Sequence, residues 1–237
     1  MLFASDLHIG EDKNQDERVQ SILSDMKELY PDETLVLGGD TIDSPSKRQI
    51  NKANKTLHGM YVIPLPGNHC VGPHGIWAMN YLYRRWHEDL AEKRCCLVTQ
   101  EPIRGRGDRE TYLEDYPLVW EQEGYLNIGL DTAGPVRALR WHVARGKVGT
   151  RQLMVLEHIL GRANKPVNLF MHHHLREHRG SLELVDADRL RGVLVKSGLD
   201  IEVYMGHRHK PGRYSHLNID VVATGKFVDD GPVRVRA

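Results

Sequence analysis

Thr34-Leu35-Val36-Leu37-Gly38-Gly39-Asp40 is a short β-type run that stops abruptly on two glycines and a carboxylate. The same grammar recurs on either side of it. Leu2-Phe3-Ala4-Ser5 reads as a strand running into Asp6-Leu7-His8, and Met60 to Pro64 as a strand leading to Gly67-Asn68-His69. Between these strands lie helical patterns. Arg18 to Tyr30 places Val19, Ile22, Leu23, Met26 and Leu29 at helical spacing before Pro31-Asp32 ends the run. Ser46 to Leu57 is a second helix with a serine cap. This β-α-β-α-β order predicts a layered α/β sheet with buried central strands.

Further along, Ile76 to Leu90 reads as a helix whose stripe of Trp77, Tyr81, Tyr83 and Trp86 suits packing, and Arg94 to Val98 as a strand. Residues 99–124 are polar, with Gly105, Gly107 and Pro117, and are expected to form a long excursion, a flap over a site. Tyr125 to Leu130 resumes as a strand ending at Asp131, and Thr150 to Leu160 is a strong helix. Val167 to Met171 is a strand that runs into His172-His173-His174. Asp186 to Lys196 is a helix with an aspartate cap. Ile201 to Met205 is a strand that stops at Gly206-His207-Arg208-His209, and Ile219 to Ala223 and Val233 to Val235 close the chain as strands. No repeat or shift in composition divides residues 1–237, so one domain is expected.

The 237 residues carry 32 basic and 32 acidic side chains, which argues against a protein that wraps nucleic acid or coats an anionic membrane. No apolar run approaches the roughly 20 residues needed to span a bilayer, and no basic-then-apolar leader pattern opens the sequence. The three cysteines, Cys70, Cys95 and Cys96, fit reduced thiols, so a cytoplasmic location is expected. The unusual count is of histidine: 14 of them.

Five predicted strands thus end in residues that can hold a metal. Ligands of open α/β sheets gather beyond the carboxyl ends of the strands, so these five loops are expected to converge. Asp-x-His at a strand end puts both side chains on one side, since alternate residues face alike, and His207-x-His209 repeats that geometry. Mixed Asp, Asn and His donors suit divalent transition metals better than calcium. There are more ligands than one ion needs. Two ions sharing a carboxylate, about 3.5–4 Å apart, are the expected answer.

Taken together, Asp6-x-His8, Gly38-Gly39-Asp40, Gly67-Asn68-His69, the His172 cluster and Gly206-His207-x-His209 resemble the calcineurin-like metallophosphoesterase superfamily. The resemblance implies an α/β fold, a four-layer α/β/β/α sandwich, with a dinuclear centre between the sheets. It implies Asp6, His8, Asp40 and His209 around the first metal, and Asp40, Asn68, His172 and His207 around the second. His172 is taken over His173 because the family's ligand is usually the first histidine after the strand. His69 matches the family's non-ligating histidine, which acts on the scissile phosphate and its leaving group. Gly149-Thr150-x-Gln152-Leu153-x-x-Leu156 and Leu184-x-Asp186-x-Asp188-x-Leu190 resemble segments of the bacterial class III cyclic nucleotide and glycerophosphodiester phosphodiesterases. Cys70 departs from the family, which commonly has Asp or Glu after Asn-His, a possible partner for His69.

The implied chemistry is metal-assisted hydrolysis of a small phosphodiester, a cyclic nucleotide or glycerophosphodiester, through a hydroxide bridging two ions. Manganese, iron and zinc all suit such donors. Asn68 and His69, with Arg176 and His178 after the His172 cluster, are the candidate substrate contacts. A phosphomonoesterase or a nuclease of the same superfamily is the alternative, although a nuclease should show a basic groove and usually further domains. A non-catalytic protein-binding scaffold would be expected to have lost ligand positions, and here every one is filled.

Overall fold

The computed structural model describes residues 1–71, 116–133, 144–175 and 184–236. The helix and strand expected at 76–90 and 94–98, and most of the excursion at 99–124, lie outside them. Among these residues ten strands form two sheets. One has the order β10-β1-β2-β3, from β1 (Leu2–Ala4), β2 (Thr34–Leu37), β3 (Tyr61–Pro64) and β10 (Val233–Arg234). The other has the order β4-β5-β6-β7-β9-β8, from β4 (Leu118–Gln122), β5 (Tyr125–Gly129), β6 (Val167–Phe170), β7 (Ile201–Met205), β8 (Gly212–His216) and β9 (Ile219–Ala223). β1, β2 and β3 run parallel, as do β5, β6, β7 and β9, so each sheet presents several carboxyl ends together.

Side-chain alternation sorts the core into three layers. Leu2, Ala4, Leu35, Leu37 and Val62 point outward to α1 (Lys13–Leu29) and α2 (Lys47–Thr56), meeting Val19, Leu23, Met26, Ile50 and Ala53. Val167, Leu169, Ile201, Val203, Ile219 and Val221 point the other way, to Leu153, Leu156 and Leu160 of α4 (Thr150–Leu160) and Leu190 and Leu194 of α5 (Ala187–Ser197). The residues between these positions, Phe3, Val36, Ile63, Phe170, Tyr204 and Val222, fill the space between the sheets. Phe170 lies between Trp120 and Tyr204, with ring centroids 5.5 and 5.2 Å away. Helices outside, two sheets inside: the molecule is an α/β/β/α sandwich, and strands covered on both faces explain the near-continuous apolar runs.

Several details differ from the sequence expectation. α1 begins at Lys13, five residues early, because the Asp12 side chain accepts the Gln15 N–H and caps it. The end of the expected excursion is strand: Leu118–Gln122 pairs antiparallel with Tyr125–Gly129, and its Leu118, Val119 and Trp120 are buried. Asp186 stands at the start of α5, but its carboxylate accepts the N–H groups of Val148 and Gly149 at 3.0 and 2.8 Å, so it braces the entry to α4 instead. β8 carries no strand signal in the sequence, because it is an exposed edge strand without apolar alternation. A short helix, α3 (Asn68–Val71), follows directly on the turn after β3, and another, α6 (Phe227–Asp230), follows β9. Among the described residues no helix is long and apolar enough to cross a membrane.

Candidate metal centre

Beyond Ala4 and Leu37 the chain after β1 and the chain after β2 stay side by side. Gly38 N–H donates to Ala4 C=O, Asp6 N–H to Gly39 C=O, His8 N–H to Asp40 C=O, Ile9 N–H to Thr41 C=O, and Asp43 N–H to Ile9 C=O, all at 2.7–3.2 Å. The backbone is contorted along this ladder. Among the described residues seven non-glycine residues have positive φ, and five of them are Asp6, His8, Asp40, His207 and His209. Such conformations are unfavourable for L side chains and persist where the surroundings over-determine them, most often at functional sites. Gly39, at φ 102°, needs its freedom for a second reason: a Cβ there would strike the His172 ring.

The two sheets bring their donors together from opposite sides. His172 donates from Nδ1 to Gly38 C=O at 2.8 Å, which turns Nε2 inward. That atom lies 3.2 Å from Asp40 Oδ2, 3.2 Å from Asn68 Oδ1 and 3.1 Å from His207 Nδ1. Asp40 Oδ1 accepts the His69 backbone N–H at 2.8 Å. Four electron-pair donors around one point, fully or largely buried, repel one another unless a cation or a proton sits among them. The second group is similar. Asp6 Oδ2 accepts the His207 N–H at 2.9 Å, while Oδ1 lies 3.2 Å from His209 Nε2 and 3.9 Å from His8 Nε2, and the two histidine nitrogens are 3.3 Å apart. Asp6, Asp40 and His172 form a further close set, so Asp40 stands between the two groups. The donor set therefore fits two cations, with Asp6, His8 and His209 around one, Asn68, His172 and His207 around the other, and Asp40 able to serve both.

Charge follows the same geometry. Burial works against ionising Asp6, yet the His209 contact and the His172 ring keep it below the usual carboxylate range. Burial likewise opposes ionisation of Asp40, and His172 overcomes it. Burial would neutralise His172, but Asp40 pushes it up to about 9. His207 is forced down to about 3 by burial and by His172, and burial also holds His8 and His173 below the ordinary range.

All seven expected ligands meet here. His173, the alternative to His172, is also buried against His172 and His207, but its Nδ1 lies 2.9 Å from Thr132 Oγ1, which also accepts its backbone N–H. Arg176 and His178 lie outside the described residues. His69, with a side chain 43% exposed, sits at the open face, its ring edge-on to His8 at 4.7 Å. The residue the sequence reading passed over is Asp43, three positions after Asp40. His69 Nδ1 donates to Asp43 C=O at 2.9 Å and lies 3.5 Å from its carboxylate. Cys70, where the family commonly has a carboxylate, is wholly buried in the apolar layer under the first sheet. A cavity of about 330 Å³ between Glu33, Glu202, Tyr204, Arg213, Arg234 and Arg236 holds none of the seven, and its arginines are already paired with Glu33 and Glu202.

Comparison with known proteins gives a consistent answer. Residues 1–211 match the family model described as calcineurin-like phosphoesterase. No curated protein sequence matches the chain. Among solved structures, a dimetal phosphatase from Danio rerio is similar at 12% identity with a TM-score of 0.62, over 95% of this chain and 87% of that one. A purple acid phosphatase from yellow lupin (Lupinus luteus) seeds is similar at 13% identity and TM-score 0.60, over 98% of this chain and 44% of that one. The phosphopantetheinyl hydrolase of Mycobacterium tuberculosis is similar at 15% identity and TM-score 0.52, over 94% and 88%. A shared sandwich, convergent Asp, Asn and His donors and a family match across most of its length place this chain in the calcineurin-like phosphoesterase family.

Proposed function

We propose that the protein hydrolyses a small phosphodiester, of the cyclic nucleotide or glycerophosphodiester kind, at a centre of two divalent ions. The observation that carries the reading is the convergence of Asp6, His8, Asp40, Asn68, His172, His207 and His209, from five strand ends, beside a half-exposed His69. Two bound cations would lower the pKa of a shared water and neutralise the phosphate oxygens as charge builds on them. The chain supplies the rest. Asp6, Asp40, Asn68, His8, His172, His207 and His209 would hold the ions. His69, with Nδ1 committed to Asp43, keeps Nε2 for the ester and protonates the departing alkoxide.

A diester is favoured on charge. The Asp43 carboxylate, about one-third exposed beside His8 and His69, repels a dianionic monoester more than a monoanionic diester. The likeness of the Gly149 and Leu184 segments to class III phosphodiesterases supports the same choice.

The test is turnover of bis(p-nitrophenyl) phosphate against p-nitrophenyl phosphate, after reconstitution with manganese. Faster diester hydrolysis is expected, and a monoester preference overturns the substrate class. His69→Ala should lower turnover by about 10²-fold or more while bound metal stays at the wild-type level. Wild-type turnover in that variant removes the acid role.

A further inference from the structure

We infer that Gln49 is a positioning residue for His69, acting through Asp43. The paired backbones after β1 and β2 carry His8 on one side and Asp40 and Asp43 on the other, and their ladder of N–H···O=C bonds ends at Ile9 and Asp43. One step further on, Gly10 C=O and Ser44 N–H do not bond each other. The Gln49 amide is inserted between them: Nε2 donates to Gly10 C=O at 3.1 Å, and Oε1 accepts Ser44 N–H at 2.6 Å. A side chain from α2 thus makes the last rung of the ladder.

Three observations show that this rung is built. Gln49 is the third residue after the Ser46 cap, and its own N–H is capped in the ordinary way, donating to Ser46 Oγ at 3.3 Å. A glutamine there commonly turns back to the cap residue's N–H, completing a reciprocal pair. Here it reaches to Ser44 and Gly10 instead. Gly10 makes room for it, since at φ 99° a Cβ would overlap the Gln49 side chain. The Gly10 N–H is fixed too, donating to Asp16 Oδ1 at 2.7 Å, and Asp16 is paired with Lys52 of α2. Ser44 adjoins Asp43, whose carbonyl receives the His69 Nδ1–H. Holding Ser44 therefore holds the acceptor that aims His69.

The inference rests on His69 acting as the acid, and the experiment separates the two. Turnover is measured on phosphoesters whose leaving groups run from p-nitrophenol to an unactivated alcohol, because only poor leaving groups need a well-aimed proton. In Gln49→Met, turnover is expected to fall about threefold on the p-nitrophenyl ester and at least tenfold further on the alkyl ester, with KM and bound metal near wild type. Gln49→Glu still accepts from Ser44, so it should restore the wild-type dependence on leaving group even though Gly10 loses its donor. Should Gln49→Met fail to fold, Gln49→Asn, too short to span both loops, is expected to show the same steepening. An equal loss across the series, or a Gln49→Glu variant as steep as Gln49→Met, overturns the positioning role. If the wild type hydrolyses no member of the series, the phosphoesterase reading itself fails.

Discussion

Asp131 shows how hydrogen bonds can fix a single residue in place while burial works against its charge. Its N–H donates to Gln152 Oε1, its carbonyl accepts from Gln152 Nε2, and its Oδ1 accepts the Ala133 N–H at 2.8 Å. Burial pushes its carboxyl up to about 7, against the pull of the Ala133 N–H. A folded-state pKa above the unfolded value means that the native state holds the extra proton. The resulting stability is complete below about pH 4 and is lost as pH rises through about 7. Asp131→Asn keeps an acceptor for Ala133 and cannot ionise. It should melt with the wild type at pH 4 and outlast it at pH 8, by a margin on the order of 4 kcal/mol. Thermal melts at the two pH values check this, and an unchanged gap between them contradicts it. The same residue-scale view explains Asp43. In a linear reading it is one more loop carboxylate, and only the turn after β2 carries its carbonyl to within 2.9 Å of His69 Nδ1.

At the scale of elements, the strand ends are as closely packed as the core. Gly206, the residue between β7 and His207, sits where a Cβ would overlap Ser5 Oγ and Asp6 Oδ2. Gly206→Ala should therefore displace Asp6 and sharply reduce bound metal, while far-UV circular dichroism stays native. Metal analysis on the purified variant decides it, and full loading would show that the loop can yield. Ser46, Gln49 and Gly10 illustrate why such elements were only half legible. The serine cap of α2 could be read from the sequence, because capping is local chemistry. That Gln49 leaves its own helix to join two loops could not, because its partners are 39 and 5 residues away.

Across the whole molecule, each sheet contributes part of the candidate centre. Asp6, His8, Asp40 and Asn68 follow strands of the first sheet, and His172, His207 and His209 follow strands of the second. Cations held by both sets of side chains would tie the halves together and would bind the folded state in preference to the unfolded one. Adding manganese at a hundredfold excess over Kd should raise stability by about 2.7 kcal/mol for each site filled, and a chelator should reverse it. Melting curves with and without metal provide the check, and indifference to both would separate these side chains from metal binding. The sequence by itself determined the alternation of strands and helices, the apolar layers and the strand ends rich in Asp, Asn and His, because periodicity, turn chemistry and donor type act within a few residues. Only the tertiary structure decided that residues 118–122 close the second sheet as a strand, that Asp186 braces α4, that Cys70 faces the core, and that Asp43 and Gln49 stand behind His69. Those outcomes depend on partners distant along the chain, and only packing of the two sheets and their helices chooses among the partners each side chain could have had.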